Sequence, residues 1–126
     1  MVSDSVTITI PMQPPREVSP NFHGSWRRKS RAVAEYRAQC GWAAKTVPET
    51  SSFSDDRPVV MDFEIRWSGQ RKRLDDDNAK ACMKAVIDGV ADVLWFGQDR
   101  HVTIGSVSQV RGNGEVVVTI RRAGDS

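Results

Sequence analysis

Acidic and basic side chains that could act on a phosphate diester stand together in the middle of the chain. The basic run Arg71-Lys72-Arg73 is followed, after one leucine, by Asp75-Asp76-Asp77-Asn78. Carboxylate oxygens are the ligands that hard cations such as Mg2+ prefer, and a bound Mg2+ activates water and neutralises phosphate charge. The basic side chains would hold the polyanion. This cluster favours a metal-dependent enzyme, and Asp99 is a candidate for a third acid.

The spacing of the three aspartates divides their roles. In an extended segment Asp75 and Asp77 would point to the same side and reach one cation, while Asp76 would point away and either cap the following helix or be solvated. A structural alternative stays open, in which the acids only cap the helix and interact with its dipole.

A polar stripe is predicted on the helix that follows, from about Asn78 to Leu94. Helical geometry places Lys80, Lys84 and Asp88 on the same side as Asp77. A lysine side chain that leans towards the helix N-terminus would bring Lys84 to a metal or phosphate there. The alternative is a solvated face with ion pairs such as Lys84 with Asp88. His101 is expected to be a strand-edge histidine or one with satisfied hydrogen bonds rather than a metal ligand, because no second histidine stands at ligand spacing.

The bulk properties indicate one soluble domain. The chain has 126 residues, 39% of them hydrophobic and 27% charged, with a net charge of +2. Basic residues of the first predicted helix, with Arg27 and Arg28 among them, and the run from Arg71 could form one surface for a DNA backbone. Two solvated faces are the alternative. We expect a cytoplasmic protein without a membrane partner and, at Cys82, a buried free thiol.

Periodicity predicts an α+β fold: a single domain over 1–126 with one mixed β-sheet and two main helices, in the order β-α-β-α-β-β. The clearest strand is Val59 to Trp67, where apolar residues alternate with polar ones. Its apolar side and that of the first strand suggest a dimer interface. The other predicted segments are a strand at 6–10, a helix capped by Ser25 and ending near Ala44, a flexible loop at 45–58, a hairpin of strands 102–110 and 115–121 around Gly112-Asn113-Gly114, and a frayed tail at 123–126.

Several blocks of the chain resemble the RusA family of Holliday-junction resolvases, in particular its phage and prophage members. These blocks, which together span most of the chain, are Ile8-Thr9-Ile10-Pro11 with Pro14-Pro15, Ser19-Pro20-Asn21 with Trp26, Arg73-Leu74-Asp75-Asp76-Asp77-Asn78, Lys84-Ala85-Val86-Ile87-Asp88-Gly89, and Leu94-Trp95-Phe96 through Asp99 and Val102. The Asp-x-Asp-Asn motif alone is a weak signal. Because the helix-body block from Lys84 and the distal acid Asp99 follow it in the order found in the family, the resemblance is fairly specific.

The resemblance implies a homodimeric endonuclease that needs Mg2+, or Mn2+ in its place, and nicks paired strands of a four-way DNA junction. Asp75, Asp77 and Asp99 would bind the metal. Matching the helix body puts the functional lysine on Lys84, with Lys80 as another option, whereas the best-known family pattern would place it at Ala81. The DNA would be held by Arg71, Lys72, Arg73, Arg27, Arg28 and Lys80. Other functions left open are a non-catalytic DNA-binding module and a metal-dependent nucleotide hydrolase.

Overall fold

The computed structural model describes residues 5–55, 57–98 and 101–124, and its elements follow the predicted order. The strands are β1 (Ser5–Ile10), β2 (Val59–Trp67), β3 (Val102–Arg111) and β4 (Glu115–Arg122), and the helices are α1 (Trp26–Lys45) and α2 (Asp76–Leu94). Short 3-10 helices lie at Arg16–Val18 and Pro48–Phe53. The predicted α+β class, with one mixed sheet and two main helices, is confirmed.

The sheet has the strand order β1-β4-β2-β3. Strand β3 is parallel to β2, whereas β4 is antiparallel to both β1 and β2. The predicted hairpin is therefore wrong, because β2 lies between β3 and β4. The glycine turn carries the chain across the end of β2, where Gly112 N donates to Trp67 O (2.9 Å) and Gly114 N to Arg66 O (2.9 Å). Turn residues predict the reversal, but the pairing depends on contacts with β1 and β2, which lie far away in sequence.

The core lies on one face of the sheet, beneath the two helices. The alternating residues of β2 are fully covered, and Val59, Met61 and Ile65 have no exposed surface. Ile8 and Ile10 of β1 are covered in the same way. The suggestion that these apolar faces serve a dimer is wrong, because a single chain already buries them.

Helix α1 begins as predicted, with the Ser25 hydroxyl accepting a hydrogen bond from Arg28 N (3.2 Å). It packs closely on α2 where Gly89 faces the backbone of Arg37 and the side chain of Cys40, leaving no space for a Cβ at Gly89. Asp92 accepts hydrogen bonds from Nε and Nη2 of Arg37 (2.5 and 2.6 Å) beside this contact. The two helices therefore form one layer.

The segment 45–58, predicted as a flexible loop, contains a 3-10 helix and a core residue. Pro48 begins this helix, a position that suits proline because no N–H is needed there. Phe53 is 1% exposed, and its carbonyl accepts a hydrogen bond from Trp95 Nε1 (2.7 Å). The serine-rich sequence is typical of a loop, so neither this helix nor the burial of Phe53 was predicted.

Both cysteines are buried and free, as predicted for Cys82. Burial raises the pKa of the Cys40 thiol to about 12 and also raises that of Cys82. Within the described ranges, no helix combines the length and apolarity that a membrane crossing requires.

Candidate functional site

The aspartate cluster forms the N-terminal end of α2, which starts two residues earlier than predicted. Asp75 is the N-cap residue, with an extended backbone, and the helix begins at Asp76. Asp76 is therefore not the cap but is largely exposed, as the solvated alternative predicted, and Asp77 belongs to the first turn rather than to an extended segment. The alternation used to pair Asp75 with Asp77 therefore does not apply. All three residues are good N-caps, so residue type alone could not place the helix start.

The carboxylates of Asp75 and Asp77 are exposed and uncommitted. The Asp75 side chain makes no capping hydrogen bond. Within the described part of the chain, neither carboxylate has an ion-pair or hydrogen-bond partner, whereas Asp76 lies 3.8 Å from Nη2 of Arg73. Asp75 and Asp77 thus present oxygen atoms to solvent at the end of a helix.

The donor set suits a hard cation, but only two of the three predicted ligands can be placed. Carboxylate oxygens are the usual ligands of Mg2+. Asp99, the predicted third ligand, lies outside the described residues. Over 5–55, 57–98 and 101–124, no group of three or more His, Cys, Asp or Glu residues could hold a metal ion. The helix dipole at this end favours an anion, so a cation here would depend on the carboxylates.

One amide side chain, which the sequence analysis missed, fixes the chain just before Asp75. Gln109 Oε1 accepts hydrogen bonds from Leu74 N (2.8 Å) and Trp67 Nε1 (3.0 Å), and its Nε2 donates to Leu74 O (2.8 Å). Both backbone groups of Leu74 are therefore held by strand β3. The signal available in the sequence was an amide at Gln109, two residues after Val107, where the alternation of the strand calls for an apolar side chain.

The preceding turn is held in a similar way by another residue that the analysis missed. Arg111 donates hydrogen bonds to Arg71 O (2.7 Å) and Gly69 O (2.6 Å). Ser68 N donates to Gln13 Oε1 (2.8 Å) on the other side. Segment 68–74 is thus fixed by β3 and by the chain after β1.

The predicted basic run does not act as one patch, because its side chains point into different clefts. Arg71 donates to Pro14 O (2.9 Å), and its guanidinium lies 4.7 Å from the centre of the Trp67 ring. With Lys72 it lines a cleft of about 430 Å³, here termed the basic cleft, which is also lined by Arg16, Ser19, Asn21, Phe22, His23, Gln70 and Leu74.

Arg73 faces a second cleft of about 480 Å³, here termed the strand-edge cleft. This cleft is lined by Arg73, Asp76, Lys80 and residues 105–109 of the edge strand β3. Four of the predicted DNA-binding residues, Arg71, Lys72, Arg73 and Lys80, thus line the clefts that flank the start of α2. Arg28 is instead paired with Glu17 (3.2 Å), and Arg27 is exposed on α1.

Lys84 forms the ion pair that was the alternative to a catalytic role. Its Nζ lies 3.0 Å from Asp88 Oδ1, one turn further along α2. The expected lean towards the helix N-terminus is therefore not observed. Lys80, by contrast, lines the strand-edge cleft beside Asp76.

His101 packs against Trp95 rather than facing the aspartates. The two rings meet edge to face, with centroids 4.5 Å apart. Its Nε2 is buried without a hydrogen-bond partner in the part of the chain that the structure describes. Of the two expected roles, the strand-edge position is found, since His101 directly precedes the edge strand β3 and its carbonyl accepts from Val59 N (3.1 Å), whereas a satisfied side chain is not.

Comparison with known proteins gives one informative relative. The chain is 30% identical over 128 residues to an uncharacterized protein of Xylella fastidiosa (strain Temecula1 / ATCC 700964), with 94% of this chain and 78% of the Xylella protein covered. The chain belongs to the family of that Xylella protein. No family model matches the sequence.

Proposed function

We propose that this protein is a Mg2+-dependent endodeoxyribonuclease, with Mn2+ as an alternative metal, that resolves four-way DNA junctions by paired symmetric nicks in recombination and repair. The observation that carries the proposal is the pair of uncommitted carboxylates, Asp75 and Asp77, between two clefts lined with cations. Carboxylates exposed next to basic side chains, without pairing to them, fit a metal and a phosphate better than helix capping. The resemblance to the RusA family supports the same function.

The roles of Asp75, Asp77 and the cations of the two clefts follow from their positions, whereas those of Asp99 and Lys84 follow from the resemblance to the RusA family. Asp75 and Asp77, together with Asp99, would hold the metal, which supplies an activated water and neutralises charge on the scissile phosphate. Lys84 would stabilise the developing charge or orient the water. Arg73 and Lys80 in one cleft, and Arg71 and Lys72 in the other, would hold the DNA backbone. Because two strands are cut symmetrically, a two-fold homodimer is the natural assembly.

A second candidate is a DNA-binding module without catalysis, for which Asp75 to Asp77 would serve only the helix end. The Lys84–Asp88 ion pair favours it, because that pair explains the lysine without chemistry. Binding of Mg2+ at the aspartates separates the two candidates.

The proposal is tested by incubating the protein with a labelled four-way junction and Mg2+, with linear duplex of the same sequence as the control. We expect Asp77→Asn to abolish nicking while junction binding is kept or tightened, because a negative charge beside phosphate is removed. Asp76→Asn is the matched control, since the Asp76 carboxylate is close to Arg73 and is less available to a metal. Absence of junction nicking by the unaltered protein, or equal losses from both substitutions, would contradict the proposal.

A further inference from the structure

The basic cleft concentrates positive charge, which Glu17, outside its lining, offsets only in part through its attraction to Arg71. Its lining contains the cations Arg16, Arg71 and Lys72 and no carboxylate. Among the described residues, none of these three cations forms an ion pair. The nearby acid Glu17 is already paired with Arg28 (3.2 Å). The charge of this cleft is therefore available to an anion from outside the chain.

Arg71 is held in place before any anion arrives. Its guanidinium is fixed between Pro14 O (2.9 Å) and the Trp67 ring (4.7 Å), and its side chain is half-buried. Burial lowers the pKa of Arg71, and the positive charge of Arg16 lowers it further. An anion bound between Arg71 and Arg16 would offset this repulsion, which favours its binding.

The opposite wall of the cleft is also preorganised. Lys29 Nζ donates to Ser19 O (2.8 Å), and the buried Ser19 hydroxyl accepts from Asn21 N (3.3 Å). The Phe22 ring is covered by the Arg28 guanidinium at 5.4 Å. Because these groups are already held in place, anion binding would restrict them little further. Little binding free energy is therefore lost to conformational entropy.

The position of the cleft connects it to the aspartates. Leu74 lines the cleft, and its backbone is fixed on both sides by Gln109 immediately before Asp75. An anion in the cleft would therefore lie beside the exposed carboxylates without touching them. A DNA strand carries a phosphate at each nucleotide. One strand could therefore place one phosphate in the basic cleft and the next at the carboxylates of Asp75 and Asp77.

We propose that the basic cleft binds one backbone phosphodiester of the DNA strand whose neighbouring phosphate is cut at the start of α2. The inference rests on the proposed nuclease function. Such a contact sets the position of the strand without reading its sequence. Arg16, Lys72 and Arg71 are thus binding residues, and Arg71 also stabilises the fold through Trp67.

The test compares two double substitutions that remove the same charge. Arg16→Gln with Lys72→Gln alters the cleft, and Lys45→Gln with Arg57→Gln is the control outside the cleft. All four side chains are exposed, so both variants should fold, which thermal melting followed by circular dichroism checks. Arg71 is left unchanged because of its structural contacts.

Binding of a fluorescein-labelled oligothymidylate, in EDTA so that no metal acts, is the first measurement. We expect the cleft variant to lose at least about tenfold in affinity and about 0.7 in salt slope per lost contact with single-stranded DNA. The control variant should change far less. Equal weakening of both variants would overturn the proposal, because only net charge would then matter.

A second measurement distinguishes this proposal from the nuclease proposal. Titration with inorganic phosphate should shift the amide NMR signals of Asn21 and Gln70, which both line the cleft, in the unaltered protein but not in the cleft variant. If those shifts occur and no junction is nicked, the phosphate cleft stands and the nuclease proposal fails. If junctions are nicked and the cleft variant has unchanged affinity and rate, the cleft proposal fails alone.

Discussion

Gln109 shows how one side chain can position a candidate active site that lies far from it in sequence. Its amide satisfies both backbone groups of Leu74 and the indole N–H of Trp67. The two donors that meet at Oε1 also determine the orientation of the amide. The direction in which Asp75 leaves the sheet therefore depends on a residue of β3.

We predict that Gln109→Leu lowers the free energy of unfolding by about 2 kcal/mol, because partly buried donors and an acceptor lose their partners. The nicking rate should fall as well, since the start of α2 loses its support. Chemical denaturation and single-turnover cleavage would measure the two effects.

Gln109→Glu and Gln98→Leu are the controls for this prediction. Glutamate keeps an oxygen that accepts from Leu74 N and Trp67 Nε1 but cannot donate to Leu74 O. Gln109→Glu should therefore destabilise the protein less than Gln109→Leu. Gln98 is exposed, and its substitution should have little effect. Unchanged stability in Gln109→Leu would mean that the clamp does not hold the segment.

The role of Lys84 can be separated from its ion pair with Asp88. Lys84→Ala and Asp88→Asn both break the pair, which at an exposed site contributes less than about 1 kcal/mol to stability. Only Lys84→Ala removes the ammonium group. We predict that Lys84→Ala slows nicking at least about tenfold, equivalent to about 1.4 kcal/mol of transition-state stabilisation.

Asp88→Asn should keep the nicking rate, and Lys80→Ala should act mainly on affinity, since Lys80 lines the strand-edge cleft. Single-turnover rates on a pre-bound junction provide the measurement. A larger rate loss from Lys80→Ala than from Lys84→Ala would move the functional lysine to position 80.

The sequence located the acids and the adjacent cations, because such residue types in one short segment have few structural explanations. It did not locate the cap, since Asp75, Asp76 and Asp77 suit that position equally well. It also could not foresee that Arg71 turns inward. That orientation depends on Pro14 and Trp67, which meet Arg71 only in the folded chain.

At the level of elements, the contact between α1 and α2 depends on the absence of a side chain at Gly89. A methyl group there would collide with the carbonyl of Arg37 and with Cys40. We predict that Gly89→Ala lowers the free energy of unfolding by about 1–3 kcal/mol through overpacking, despite the better helix propensity of alanine. Thermal or chemical denaturation would measure this loss.

Gly41→Ala is the control, because its Cβ would lie 3.1 Å from Gly89 O and needs only a small adjustment. It should therefore be less destabilising than Gly89→Ala. A stabilised Gly89→Ala protein would show that the helices can separate at no cost.

Elements with a strong local pattern were predictable, and their partners were not. The alternation in β2 and the cap at Ser25 placed those elements correctly. The pairing of β4 with β1 and β2 depends on contacts between distant parts of the chain, and no local turn signal encodes them.

At the scale of the whole molecule, the face of the sheet opposite the helices is polar and internally paired. Arg66 contacts Glu64 (2.7 Å) and Glu115 (2.8 Å), and Asp62 accepts from Arg121 Nε (2.9 Å). Hydrogen bonding to Arg121 and Ser106 outweighs burial and lowers the pKa of Asp62. A partner subunit that bound this face would have to present charges complementary to these ion pairs. Such complementarity contributes more to specificity than to affinity.

The place of β4 in the sheet has a consequence for how the protein is made. Strand β1 leaves the ribosome before β2, β3 and β4, yet among the described strands it pairs only with β4, the last of the four in sequence. Until β4 is synthesised, β1 has no strand to pair with, and β2 is paired on one side only. Contacts between such distant segments slow folding and leave strand edges exposed in the growing chain. The sheet therefore stays incomplete until β4 is made, and a ribosome that stalls before β4 would present an unfinished sheet to chaperones or proteases.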